Sequence, residues 1–208
     1  MNFEQITKNR RSINFFDPDK DLSPEVIKKM VELASNSPSS FNLQPWNLVV
    51  LRDRAQKEKL KELAWNQPKI VEAPVTMIVL ADREGWKQGH PGLERTWQEM
   101  VKTGMPETKR DWFLNATRSL YNWSTDANLA FAAKNAAFFA MSLMYAAVSL
   151  GLDSHPMDGF DHEGVKKAFN IPDRYWIPVL LAVGYKKPGL VLDPPKWRKT
   201  YEEIVVEL

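Results

Sequence analysis

The chain has 208 residues, a length that suits one well-buried domain, and its 44% hydrophobic and 26% charged residues are ordinary for a globular protein. A formal net charge of +2, with the basic pairs Arg10-Arg11, Lys28-Lys29, Lys166-Lys167 and Lys186-Lys187 scattered rather than blocked, argues against a nucleic-acid partner. The absence of cysteine excludes disulfides, thiolate nucleophiles and zinc–thiolate sites and is compatible with the cytoplasm, the three histidines make no metal-ligating pair, and Met1–Gln5 lacks the pattern of a signal peptide.

Phe3 to Lys8 reads as a short helix whose end delivers Arg10-Arg11-Ser12. Two guanidiniums and a hydroxyl suit a phosphate or an electron-rich ring edge, because the planar arginine fork donates two parallel hydrogen bonds. A solvated basic helix end has the same composition. Ser23 caps the next helix, Pro24 takes its first position, and Val26, Ile27, Met30, Val31 and Leu33 recur at helical spacing. That helix opens into Ser37-Pro38-Ser39-Ser40-Phe41-Asn42-Leu43-Gln44-Pro45-Trp46. Pro38 and Pro45 push Ser37 and Gln44 out of helical geometry, so short donors and acceptors are presented from a stiff frame. Such a loop suits a flat, polar-edged ligand, and an ordinary connector uses the same residues.

Asn47 to Arg52 reads as a strand and Ala55 to Trp65 as a helix, interrupted by Asn66-Gln67-Pro68-Lys69. Pro74 to Ala81 is nearly continuous in apolar residues, as in a strand covered on both faces. Residues 83–123 are broken by Gly85, Gly89, Pro91, Gly92, Gly104 and Pro106, with short helices near Leu93–Lys102 and Glu107–Leu120. Their tryptophans, Trp86, Trp97, Trp112 and Trp123, either roof a site for flat substrates or form the segment's own core.

Ser124 to Leu150 is the longest predicted element, capped at Ser124 or Thr125 and ended by Gly151. Its second half is apolar almost all round. Lys134 and Asn135 interrupt it before a membrane span is reached, so it is expected to be a buried helix, and a dimer would help to surround it. A strand then stops at Pro156 and turns at Gly159 into a helix near Asp161. Pro178 to Val183 is another buried strand, Lys196 and Arg198 share one side of an extended tail, and Tyr201 to Leu208 is strand-like.

Taken in order, Arg10-Arg11-Ser12, the Pro-Ser-Ser-x-Asn-x-Gln-Pro-Trp run from Pro38, the Pro156–Phe160 element and the basic tail resemble the FMN-dependent nitroreductase family along the whole chain. The resemblance implies an α+β fold with a central mixed sheet flanked by helices and a long buried central helix. It implies a homodimer with FMN held by both chains. One chain would supply Arg10, Arg11, Ser12, Gln67, Pro156, Met157, Asp158, Gly159, Lys196 and Arg198, and the partner Pro38, Ser39, Ser40 and Asn42. The implied activity is reduction of nitroaromatics, quinones or conjugated carbonyls by NADH or NADPH. Flavin N5 would face the backbone of Asp158 and Gly159, with no catalytic side chain and no metal. The basic pair Arg10-Arg11 is the candidate for stabilising reduced flavin, and residues 83–123 fall where the family varies and covers the flavin. A dehalogenase or enone reductase of the same fold, or a non-catalytic FMN binder, are the rivals. No Rossmann fingerprint selects between NADH and NADPH.

Overall fold

A computed structural model describes residues 1–206, with Glu207 and Leu208 outside the described residues. The elements in chain order are α1 (Phe3–Asn9), α2 (Pro24–Ala34), β1 (Trp46–Leu51), α3 (Arg54–Glu62), α4 (Lys69–Glu72), β2 (Val75–Asp82), α5 (Pro91–Lys102), α6 (Arg110–Tyr121), α7 (Thr125–Ser149), β3 (Asp153–Met157), α8 (His162–Ala168), β4 (Tyr175–Gly184) and α9 (Tyr201–Ile204). The helices start where the capping residues stand. The side chains of Asn2, Ser23, Asp53, Ser124 and Asp161 each accept an orphan backbone N–H of the first turn. Gly151 at φ 75° ends α7 in the left-handed conformation that only glycine adopts without cost.

The four strands form one sheet in the order β1-β2-β4-β3. Every strand pair is antiparallel, which corrects the expected mixed sheet. The reason is the connectivity. β2 and β3 run the same way, but β4 lies between them, so no parallel ladder forms. The one parallel contact among the described residues is an isolated bridge between Ser12 and Ser154.

β4 starts at Tyr175, earlier than the apolar run at Pro178 suggests, and carries Pro178 inside a central strand. A register shift makes this possible. Val79 faces Val179 while Ala81 faces Trp176, so β4 holds one extra residue at that point. A bulge is where a central strand tolerates the missing N–H of proline. It also exchanges the faces: Val179 and Trp176 pack toward α7, whereas Ile177 and Leu180 pack on the opposite side. Pro156 likewise lies within β3 instead of stopping it, because β3 is an edge strand.

Each face of the sheet has its own cover. On one side Leu60, Ala64, Ile70 and Val165 pack with Ile13, Phe16, Ile78 and Leu180. On the other, α7 crosses all four strands. Its buried stripe, Asn128, Phe131, Ala132, Asn135, Ala136, Phe139, Ala140, Leu143, Ala146 and Ala147, follows helical spacing. Trp46 stacks on Phe139 with centroids 5.1 Å apart and planes within 4°. By length and composition α7 could cross a membrane, but most of its apolar window is buried inside this fold. The reverse face is open, with Ala137 exposed and Phe138 45% exposed.

After β4 the chain is largely exposed and forms no helix or named strand before Tyr201. Tyr201–Ile204 is a helical turn, not the expected strand: the Glu203 carboxylate accepts the Thr200 N–H at 2.8 Å in a capping box that starts the turn. The last two residues of that predicted strand lie outside the described residues.

Leu143 is fully buried between α7 and the sheet. Leu143→Ala is expected to cost about 2–5 kcal/mol, read as a lower urea midpoint at unchanged slope.

Candidate cofactor site

Strand β3 and the turn after it organise one end of the sheet. Ile13 N–H donates to the Ser154 carbonyl at 3.1 Å, which lays Arg10–Ser12 beside β3. The Arg11 guanidinium donates to the Asp193 carbonyl at 2.7 Å and so holds the tail against the same place. The result is a cavity of about 870 Å³ lined by Arg10, Arg11, Ser12, His155, Lys196 and Arg198, with Tyr145 and Met141 of α7 as apolar wall. Sites for small organic ligands span about 300–1,000 Å³. Four cations and a hydroxyl from opposite ends of the chain suit a phosphomonoester, which carries about −1.5 to −2 charge. Lys196 and Arg198 are exposed, and Arg198 caps the carbonyls of Lys196 and Trp197 at 3.1 and 2.8 Å.

The turn at Asp158–Gly159 follows directly from β3. The Gln67 amide donates to the Gly159 carbonyl at 3.1 Å, so Gln67 braces the turn from the chain before β2. Trp65 and Asn66, at φ 51° and 53°, hold left-handed backbone just ahead of it. Glycine at 159 has a packing reason here: an added Cβ would stand 2.5 Å from the Trp65 ring. Met157 is buried, Asp158 is exposed, and Pro156 is half-buried.

The motifs did not mark His155, which lines the cavity, or Lys69, which contacts it from behind. The His155 Nδ1 lies 3.1 Å from the Ile13 carbonyl, which can only accept, so Nδ1 carries the proton. The Nε2 lone pair then accepts from the Lys69 ammonium at 3.4 Å, and Lys69 also donates to the Gln67 amide oxygen at 3.3 Å. Burial, with the Lys69 charge beside it, lowers the His155 pKa to about 4. Burial likewise lowers the Lys69 pKa, with Glu72 opposing. The signal for His155 was its place one residue before Pro156. Nothing in the sequence marked its partner, because Lys69 lies 86 positions away.

The loop residues Pro38, Ser39, Ser40 and Asn42 do not join this cavity within one chain. Their loop is pinned on α7: the Ser37 and Ser142 hydroxyls are 2.7 Å apart, and Lys134 donates to Ser40 at 3.2 Å. Ser39 Oγ accepts the Gln44 N–H at 2.9 Å, which fixes the turn. Pro38 is exposed, and Asn42 lines a second cavity of about 1000 Å³ with Phe41, His90, Arg95 and Arg174. Residues 83–123 pack around that second cavity. Trp86, Phe113 and Tyr121 form a cluster with Leu43 and α7, and Trp97 stacks on Phe113. His90 ties the segment to β2. Its Nδ1 accepts the Gly92 N–H at 3.1 Å, so its Nε2 donates to Asp82 at 3.1 Å. Trp112 and Trp123 remain exposed. Among the described residues no cluster of His, Asp and Glu could hold a metal ion.

Known proteins resemble this chain over nearly its whole length. The nitroreductase family model matches residues 7–185. A Bacillus subtilis protein named as an NAD(P)H nitroreductase, MhqN, is 31% identical over 98% of this chain and 97% of its own length. A crystal structure of a B. subtilis protein named as a nitroreductase, ydfN, superposes with TM-score 0.91 at 30% identity, covering 99% of this chain and 98% of that one. A protein of Exiguobacterium sibiricum named as a nitroreductase, solved in complex with FMN, superposes with TM-score 0.86 at 28% identity over 100% of this chain and 98% of its own.

The half-buried imidazole sets a pH dependence. The folded His155 pKa of about 4 lies below its ordinary 6.5, so between those values the unfolded chain binds a proton that the folded chain does not. The stability this provides is complete above about pH 6.5 and is lost as pH falls toward 4. Urea unfolding at pH 7 and at pH 4.5 should show wild type losing more stability than His155→Leu.

Proposed function

The chain belongs to the nitroreductase family, and from that premise we propose that it is an FMN-dependent NAD(P)H oxidoreductase reducing nitroaromatics, quinones or related electron-poor acceptors. The observation that carries the reading is the gathering of Arg10, Arg11, Ser12, Lys196 and Arg198 around one cavity, next to a glycine turn at the end of β3. The cation set matches one phosphate, without the glycine-rich loop that a dinucleotide would call for. The relative named as an NAD(P)H nitroreductase and the FMN-bound neighbour support the same assignment.

When bound, FMN supplies the redox chemistry, taking a hydride from NAD(P)H and giving one to the acceptor at the same face. Arg10, Lys196 and Arg198 would hold its phosphate by charge-assisted hydrogen bonds, with Ser12 adding a hydroxyl. Gln67 holds the Asp158–Gly159 turn in one orientation through the Gly159 carbonyl, leaving the N–H groups of the turn for the cofactor. No side chain serves as a committed acid or base: His155, which lines the cavity, has both ring nitrogens engaged. Two substrates using one face in turn give ping-pong kinetics.

The working unit in this proposal is a homodimer with two equivalent sites. Three observations support it. The outer face of α7 around Phe138 is apolar and open. The Pro38–Asn42 loop is built to present polar groups yet does not reach the cavity of its own chain. The tail exposes Val191, Trp197, Tyr201 and Ile204, each at least 65% accessible, which is a large apolar surface for a free arm. A two-fold axis would bring the loop of one chain, and the 83–123 segment behind it, over the cavity of the other.

Two measurements test this. Denatured protein should release FMN, not FAD, on chromatography. Arg198→Ala, whose side chain makes no core contact, should bind FMN about tenfold or more weakly with little change in folding, since a charged hydrogen bond is worth about 1.5–3 kcal/mol. For the shared site, an inactive Arg10/Arg198 variant and an inactive Ser39/Ser40/Asn42 variant are unfolded and refolded together. Random pairing gives about half heterodimers, each with one intact site, so activity should return to about one quarter of wild type. Heterodimers without activity, or a fully active monomer by light scattering, exclude the shared site.

A further inference from the structure

A continuous hydrogen-bonded chain leads from the cavity wall at His155 to the turn after β3. It runs from the Ile13 carbonyl through His155, Lys69 and Gln67 to the Gly159 carbonyl, with donor–acceptor distances of 3.1, 3.4, 3.3 and 3.1 Å. It joins the strip after Arg10–Ser12, which lines the cavity, to the Asp158–Gly159 turn, which follows the cavity-lining strand β3 but is not itself in the lining. The direction of each bond is fixed by what its ends can do. Carbonyl oxygens only accept, an ammonium only donates, and so the imidazole must donate from Nδ1 and accept at Nε2. Gln67 must turn its oxygen to Lys69 and its nitrogen to Gly159. One cation, Lys69, sits in the middle. Its ammonium is held by a neutral nitrogen and an amide oxygen; the Glu72 carboxylate acts on it from nearby but makes no direct ion pair with it among the described residues.

We infer that His155 is a positioning residue: its imidazole holds the Lys69 ammonium toward Gln67 and the Asp158–Gly159 turn, so that a positive charge without a directly paired carboxylate favours the reduced, more negative form of the cofactor over the oxidised form. The inference rests on FMN occupying this cavity and assigns the charge to Lys69, a residue outside the Arg10-Arg11 pair. The neutrality of His155 is essential. Burial keeps the ring unprotonated at neutral pH, so the lone pair stays available and no second cation competes with Lys69. A carboxylate in place of His155 would hold the ammonium equally well and cancel its charge. A half-buried strand position at 155, facing the cavity, is where such a neutral acceptor is needed. Because Lys69 contacts Gln67, loss of His155 also loosens the brace on the Gly159 carbonyl, so charge and turn are set by one chain of contacts.

The test uses the full chain loaded with FMN and reads the midpoint potential by spectroelectrochemistry, alongside the affinity for oxidised FMN. His155→Leu and Lys69→Met should each reduce the preference for reduced over oxidised FMN by about tenfold, a potential lower by about 30 mV for a two-electron couple. The double variant should be no lower than Lys69→Met alone, because His155 acts through Lys69 and effects within one network do not add. His155→Gln, which keeps an acceptor for Lys69, should recover most of the shift. An unchanged potential in Lys69→Met overturns the inference even if His155→Leu does not fold. A His155→Leu shift that persists in full on top of Lys69→Met also overturns it. Protein that takes up no FMN at all refutes the functional reading itself, whereas FMN-loaded protein with unmoved potentials refutes only the role of His155.

Discussion

Helix α7 lies across all four strands, and the arrangement of the rest follows from how its two sides are covered. One stripe is filled by Trp46, by α2 and by the faces of β2 and β4. Because that stripe is rich in alanine, backbones approach closely and the few large side chains, Phe131, Phe139 and Leu143, meet specific partners. The other side, around Phe138, is left to whatever associates with the chain. Burial of about 25 cal/mol for each Å² of apolar surface makes such a face costly to leave in water.

The same helix fixes the functional parts in space. Near its start, Asn128 binds the carbonyls of Arg83 and Tyr121 at 2.8 and 3.2 Å, which anchors both ends of the 83–123 segment. In its middle, Lys134 and Ser142 hold the polar loop at Ser40 and Ser37. Toward its end, Met141 and Tyr145 form the apolar wall of the cation-lined cavity. Loop and cavity are thus both tied to one helix, with Ser142 and Met141 adjacent in it, yet no residue of the Pro38–Asn42 loop lines the cavity. In the dimer proposal a ligand touching both sets of residues takes the loop from a second chain.

Within the cavity the division of labour is between charge and shape. The cations at 10, 11, 196 and 198 come from segments with little regular structure, held mainly by the bond from Arg11 to Asp193. The turn at Gly159 is instead locked by Gln67, by the Trp65 ring against the bare glycine, and by the Asp161 N–H on the Leu63 carbonyl at 2.7 Å. Strained left-handed residues at 65 and 66 are tolerated because these contacts over-determine them. A firm turn with an exposed cation set suits a ligand whose ring must be placed and whose phosphate needs only to be attracted.

The local signals in the sequence determined most of the elements. Caps at Ser23, Ser124 and Asp161, the periodicity of α2 and α7, the apolar run of β2 and the two helices inside 83–123 are short-range effects, and they stand within a few residues of their expected places. The arginine pair and the basic tail were legible as chemistry because residue type alone limits what they can bind. Tertiary structure decided the remainder. Strand direction depends on which strand inserts between β2 and β3, a choice no local pattern encodes. The bulge that admits Pro178 exists only against the register of β2. The tail turns helically at Tyr201, where Thr200 and Glu203 form a capping box, and it pairs with no strand among the described residues. His155 and Lys69 became a site only when folding brought them within 3.4 Å, since a hydrogen bond between residues 86 positions apart leaves no trace in the spacing of either.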